Sequence, residues 1–71
     1  MTEIEISSEY IELYKLLKFA GIAESGSHAK AIITEGQVYV NGAAEERKSK
    51  KIKAGDIVKH ESEELVVKSS G

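Results

Sequence analysis

The sequence has no cysteine, so disulfides and thiolate metal sites are excluded. Such a chain folds on apolar contacts alone, a composition that suits a reducing cytosol. No apolar run approaches the ~20 residues of a membrane-spanning helix. The start, Met1-Thr2-Glu3-Ile4-Glu5, is acidic and lacks the charged-then-apolar order of a signal peptide, so the expected compartment is the cytoplasm. Phenylalanine occurs once, at Phe19, and the helical pattern assigns it no side. The stacking platforms of sequence-specific single-strand binders are therefore not evident. His28 and His60 are far apart, and neither has a carboxylate or second ligand at motif spacing, so no metal and no other cofactor is expected. There is no nucleophile–base–orienter arrangement and no phosphate-cradling glycine motif. The expectation is a chain that is not an enzyme and takes no small-molecule substrate. Repeats and low-complexity segments are absent as well.

What is present is a single expected domain over residues 1–71, short enough that its core must be compact and local. Formal net charge is −2, which by itself argues against nucleic acid as a partner. The distribution says more than the sum. Glu3, Glu5, Glu9 and Glu12 make the N-terminal end acidic, and Glu61, Glu63 and Glu64 do the same near the other end. Between them, Arg47-Lys48-Ser49-Lys50-Lys51-Ile52-Lys53 carries five positive charges in seven residues. Charge is segregated, and a local positive feature survives the negative mean.

Ile4 and Ile6 alternate with glutamates, which predicts a short N-terminal strand. Ser7 and Ser8 are natural caps for a helix from Tyr10 to Ala20, where Leu13, Leu16, Leu17 and Ala20 recur on one face. Tyr10, Ile11 and Tyr14 widen that face; Glu12, Lys15 and Lys18 point to water. The two tyrosines are read as core or edge packing. Gly21 ends the helix. Ser25 caps a second helix with Ala29, Ile32 and Ile33 inside and His28, Lys30, Thr34 and Glu35 outside, and Gly36 closes it. Helices joined by so short a link make a helix-turn-helix-like unit. Beyond it the pattern is β. Gln37 to Val40 alternates, Asn41-Gly42 is a hairpin turn, and Ala43 to Glu45 returns. The basic loop leads to a short strand near Ile52, and Ala54-Gly55-Asp56 turns the chain. Ile57–His60 and Leu65–Lys68 form a last hairpin, followed by a loose tail at 69–71. The fold class is α+β: a helix pair packed on a small, mainly antiparallel sheet.

From Leu13 to Val58, about two-thirds of the chain, the sequence resembles the S4 RNA-binding domain family. The resemblance is carried by an ordered set: Leu13, Leu16-Leu17, Gly21-Ile22-Ala23, Ser25, Ala29-Lys30, Ile33, Glu35-Gly36, Val38, Val40-Asn41-Gly42 and Gly55-Asp56. Glu24-Ser25-Gly26, Ala29-Lys30, Glu35-Gly36-Gln37-Val38 and Arg47-Lys48 look closest to the small stand-alone bacterial S4 proteins of the YbcJ-like type. The resemblance implies the S4-type (alpha-L) fold and RNA binding. Two departures matter. Many S4 domains carry arginine where this chain has Gly26, and many open the first helix with Arg-Leu-Asp where this chain has Glu12, Leu13 and Tyr14. More of the phosphate binding then falls to Lys30 and the 47–53 stretch.

The expected RNA-binding residues are Ser25, Ser27, Lys30, Gln37, Arg47, Lys48, Lys50 and Lys51. Shape recognition of RNA needs several cations on one face with a few neutral donors. Ser25, Ser27 and the N–H groups at their helix start supply donors, and Gln37 adds a polar contact along the hairpin, with Tyr39 and Asn41 as lesser candidates. Arg47 offers a forked grip on phosphate, and the lysines act as mobile point charges. The resemblance puts the basic loop beside the second helix. The implied partner is structured RNA, ribosomal or tRNA-like, bound by a ribosome-associated monomer. Two competing readings remain open: a DNA-binding helix-turn-helix, for which His28, Lys30 and Thr34 are a thin base-reading set, and a protein-interaction module on the same scaffold.

Overall fold

Alternation at the N-terminus makes a strand, β1 (Thr2–Ile6), whose Ile6 is buried. The computed structural model describes residues 1–70, and the elements follow in order. After β1 come β2 (Ile11–Glu12), α1 (Leu13–Phe19), α2 (Gly26–Thr34), β3 (Val38–Val40), β4 (Ala43–Ala44), β5 (Lys51–Ile52), β6 (Ile57–His60) and β7 (Glu63–Ser69). Five strands form one sheet in the order β1-β7-β6-β3-β4, and β2 with β5 forms a separate two-stranded ladder. All pairings are antiparallel except β1 with β7, which is parallel. The N-terminal strand and the last hairpin therefore share a sheet.

The core forms where the helical and strand periodicities meet. Leu13, Leu16 and Leu17 of α1 and Ala29, Ile32 and Ile33 of α2 pack with Val38, Val40, Val58, Leu65 and Val67 of the sheet. Each fully buried side chain of this size contributes about 1.5–3 kcal/mol over leaving it in water. The sheet's inner face is apolar, while its outer face carries Tyr39, Lys59 and Glu64 in one cross-strand row.

The first helix is shorter than its periodicity predicts. Ile11 and Glu12 are extended and pair with Ile52 and Lys51, so helical backbone begins only at Leu13. Ser7 and Ser8 do not cap it; the Ser8 hydroxyl donates to the Tyr10 carbonyl at 2.7 Å. Helix starts leave backbone N–H groups without intrahelical partners. Here the basic segment supplies them: Leu13 N–H donates to the Lys50 carbonyl at 2.9 Å and Tyr14 N–H to the Lys48 carbonyl at 3.1 Å. Phe19, left unassigned by the periodicity, faces solvent and is 69% exposed.

The Asn41-Gly42 turn has positive φ at both residues, 52° and 88°, as the two-residue hairpin requires. The tail differs from expectation. β7 runs to Ser69, and Ser70 N–H donates to the Ile6 carbonyl at 3.0 Å; the Gly71 part of the expected loose tail lies outside the described residues. Among the described residues, no helix is long and apolar enough to cross a membrane.

Candidate nucleic-acid interface

The basic segment is fastened at both ends and in the middle. At its start, Glu45 N–H donates to the Val38 carbonyl at 2.9 Å, continuing the hairpin. In the middle, the bonds to Leu13 and Tyr14 and the β2–β5 pairing hold it against the start of α1. At its end, the Asp56 carboxylate accepts from Lys53 N–H at 2.8 Å and from Asn41 Nδ2 at 3.1 Å. Asn41 Oδ1 in turn accepts from Ile57 N–H at 2.9 Å. Asn41 thus ties the hairpin turn to the 53–56 turn, a structural use that absorbs both ends of its amide.

The loop's backbone docks on α1, and α2 reaches the same place by a side chain. Lys30 Nζ sits 4.8 Å from the centroid of the Tyr14 ring, and the backbone N–H of that same tyrosine holds the Lys48 carbonyl. Tyr14 thus touches both a lysine side chain of α2 and the backbone of the basic segment. It also packs against the core. Lys30, Lys48 and Lys51 are exposed and Lys50 is half-buried. None of the four forms a salt bridge among the described residues. Arg47, Ser49, Lys50, Lys51, Lys53 and Asp56 line an open groove of about 650 Å³.

Arg47 departs from its expected role. Its Nε and Nη2 donate to the two oxygens of Glu45 at 2.9 and 3.2 Å, and its backbone N–H adds a third bond to the same carboxylate at 3.0 Å. The Arg47 hydrogen bonds hold the Glu45 carboxyl well below its ordinary value of 4.5, at about 2, and the carboxylate raises the guanidinium pKa in return. The fork that the sequence assigned to phosphate is occupied by Glu45.

The remaining expected residues are placed less centrally. Ser25 Oγ accepts from His28 N–H at 3.1 Å, and His28 Nδ1 accepts from Glu24 N–H at 3.1 Å. This reciprocal cap uses the N–H of His28, so fewer donors at that helix start face outward than the sequence suggested. Ser27 is exposed beside it. Gln37 Nε2 donates to Glu35 at 3.1 Å at the head of β3, and no described contact joins it to the Tyr14 junction.

Two further lysines lie close by: Lys53, within the 47–53 stretch already expected to bind phosphate, and Lys15, which is not among the residues expected from sequence. Lys53 lines the groove. Lys15 stands 5.9 Å from the Tyr14 ring centroid and 3.1 Å from Glu12, whose pKa is lowered by hydrogen bonds from Lys15 and then Ser49. The i,i+3 spacing of Glu12 and Lys15 was the available signal. Among the described residues, no group of three or more His, Cys, Asp or Glu is placed to hold a metal ion.

A helix pair laid on a mainly antiparallel sheet, with a cation-lined loop pinned to the first helix, defines a module of the alpha-L class. The chain belongs to the S4 domain family, whose model matches residues 4–68. Over 49 residues it is 55% identical to the Escherichia coli (strain K12) protein named "Putative RNA-binding protein YbcJ", covering 69% of this chain and 70% of that one. Over 58 residues it is 38% identical to the Bacillus subtilis (strain 168) protein named "Probable ribosome maturation protein RlbA", covering 82% of each. The solution structure of YbcJ from E. coli, described as revealing an alpha-L motif involved in RNA binding, is similar with a TM-score of 0.74 and 42% identity. That likeness covers 96% of this chain and 87% of the other.

Proposed function

We propose that the chain is a non-catalytic RNA-binding module, one domain over residues 1–71, that grips structured RNA through the lysine face around Tyr14. The observation that carries this reading is the junction itself: the Tyr14 ring lies under Lys30 while its N–H holds the carbonyl of Lys48. On this reading, cations from α2 and from the 47–53 segment share one face. Lys30, Lys48, Lys50 and Lys51 are the principal phosphate ligands. Arg47 contributes through the N–H donors that Glu45 leaves, and Ser25, Ser27 and Gln37 are secondary donors. The names of the E. coli and B. subtilis relatives support RNA as the partner, and the second favours the ribosomal branch over a tRNA-like one. The reading is of a monomer working in the cytoplasm.

Few cations and many surface glutamates imply modest, salt-sensitive affinity directed mainly by RNA shape. Fluorescence anisotropy with a labelled ribosomal hairpin, repeated across salt concentrations, tests it. With about three to five phosphates neutralised, log affinity should fall against log salt with a slope of about −0.7 per contact, steeper for duplex. Binding to the hairpin should exceed binding to duplex DNA of equal length. Preference for the DNA would establish the helix-turn-helix alternative instead.

A further inference from the structure

Beside the lysine face, aromatic rings and ammonium groups alternate. Lys30 covers the Tyr14 ring at 4.8 Å from its centroid, and Lys15 flanks the same ring at 5.9 Å. Lys51 covers the Tyr10 ring at 5.0 Å. The two rings are joined through Lys15, which lines an open depression of about 360 Å³ with Tyr10, Ile11, Glu12 and Ser8. The Lys15 ammonium is also within electrostatic reach of both phenol groups. The β2–β5 pairing sets this order, because Glu12 lies opposite Lys51 and brings Tyr10 alongside the basic segment. The strip reads Lys30, Tyr14, Lys15, Tyr10, Lys51.

Neither ring is a closed core residue. Tyr10 is 39% exposed, and Tyr14 is half-buried and packs against the core. Sequence periodicity assigns both to packing, but the structure leaves ring surface facing the same solvent as the lysines. Lys30 and Lys51 are exposed, so an ammonium over a ring gives way to a stacked base and moves to the phosphate beside it, which suits a nucleotide in particular. The base is a flat π-face for stacking, and its phosphates lie where the ammonium groups are held. A base inside an A-form helix has both faces occupied by its neighbours. An unpaired base is free to be splayed out and stacked.

We propose that Tyr10 and Tyr14 form a stacking platform that makes this module select RNA carrying an unpaired nucleotide beside a helical segment. The proposal rests on the RNA-binding reading above and adds specificity to it. Lysines 15, 30 and 51 hold the flanking phosphates, and the tyrosines receive the extruded base. Tyr10 is the decisive residue, since it is the more exposed ring and its replacement disturbs the core least.

The test uses the intact protein and two labelled RNA stems identical except for one bulged 2-aminopurine. The wild type should bind the bulged stem roughly tenfold more tightly than the paired stem, the range expected for stacking one base on an aromatic ring. The 2-aminopurine fluorescence should be quenched on binding. Tyr10→Leu should lose most of that preference and the quenching while binding the paired stem as before, and Tyr10→Phe should keep both. Tyr14→Phe, which retains the packing volume, should likewise keep the preference. Equal affinity of the wild type for both stems, with salt-dependent binding intact, would overturn the platform and leave the lysine face standing. Failure to bind either stem would overturn the RNA reading and the platform with it.

Discussion

The basic segment 47–53 and the acidic turn 61–64 are both short and dense in charge of one sign, yet they are held differently. The acidic turn is the tip of the β6–β7 hairpin, and Glu61 adopts a left-handed φ of 55°. Among the described residues, Glu61, Glu63 and Glu64 make no salt bridge. The basic segment is pinned by backbone bonds to α1, by the β2–β5 ladder and by Asp56. Charge alone does not distinguish a ligand surface from a solvated loop. Both backbones are already fixed and lose little conformational entropy on binding, the acidic turn because Glu63 and Glu64 pair with β6. What separates the regions is that the basic segment is fixed against α1, where the Tyr14 ring carries Lys30 of α2, whereas the acidic turn closes a hairpin.

The largest effect should come from inverting the charge of one region and neutralising the other. Replacing Lys30, Lys48, Lys50 and Lys51 together by glutamate should weaken RNA binding by about a hundredfold or more in anisotropy titrations. Replacing Glu61, Glu63 and Glu64 together by glutamine should change it by no more than about twofold, because screened charges off the interface contribute little. Equal effects from the two sets would erase the distinction.

The anchoring itself is testable by denaturant unfolding. Asn41→Ala removes the acceptor for Ile57 N–H and the donor to Asp56, and should destabilise the fold by about 2 kcal/mol. At the other turn, Glu61→Gly relieves a left-handed backbone position and should stabilise by about 0.5–1 kcal/mol. Destabilisation at Glu61 matching that at Asn41 would mean that the acidic turn is as firmly tied as the basic segment.

The smallest effect concerns Glu45, which holds Arg47. A carboxyl lowered from 4.5 to about 2 stabilises the folded state above its ordinary value and loses that contribution as pH falls toward 2. Wild type should therefore melt at a higher temperature than Glu45→Gln above pH 4.5, with the gap closing on acidification toward pH 2. A gap independent of pH would show that the pair contributes nothing through its charge.

Much of the fold was legible because local chemistry announces it. The Leu13, Leu16, Leu17 spacing, the Ser25 cap and the Asn41-Gly42 turn each read correctly from neighbours in sequence. What escaped was long-range. Ile11 and Glu12 continue a helical pattern, and only Lys51 and Ile52, remote in the chain, draw them into a strand. The parallel partner of β1 has no local signature either. At the candidate site, the clustering of cations was readable as charge order, but its junction was not. Tyr14 looked like a packing residue, and nothing in the order of residues links its ring to Lys30. Arg47 was assigned to phosphate because its fork suits phosphate, and the same fork suits the carboxylate of Glu45 two residues away.

The central claim is tested most directly by mapping the RNA contact on the protein with backbone amide chemical shifts during titration with a structured RNA. Perturbed amides should cluster at residues 13–15, 30 and 48–51 and leave 61–64 unmoved. Shifts scattered over the surface, or concentrated at 61–64, would contradict it.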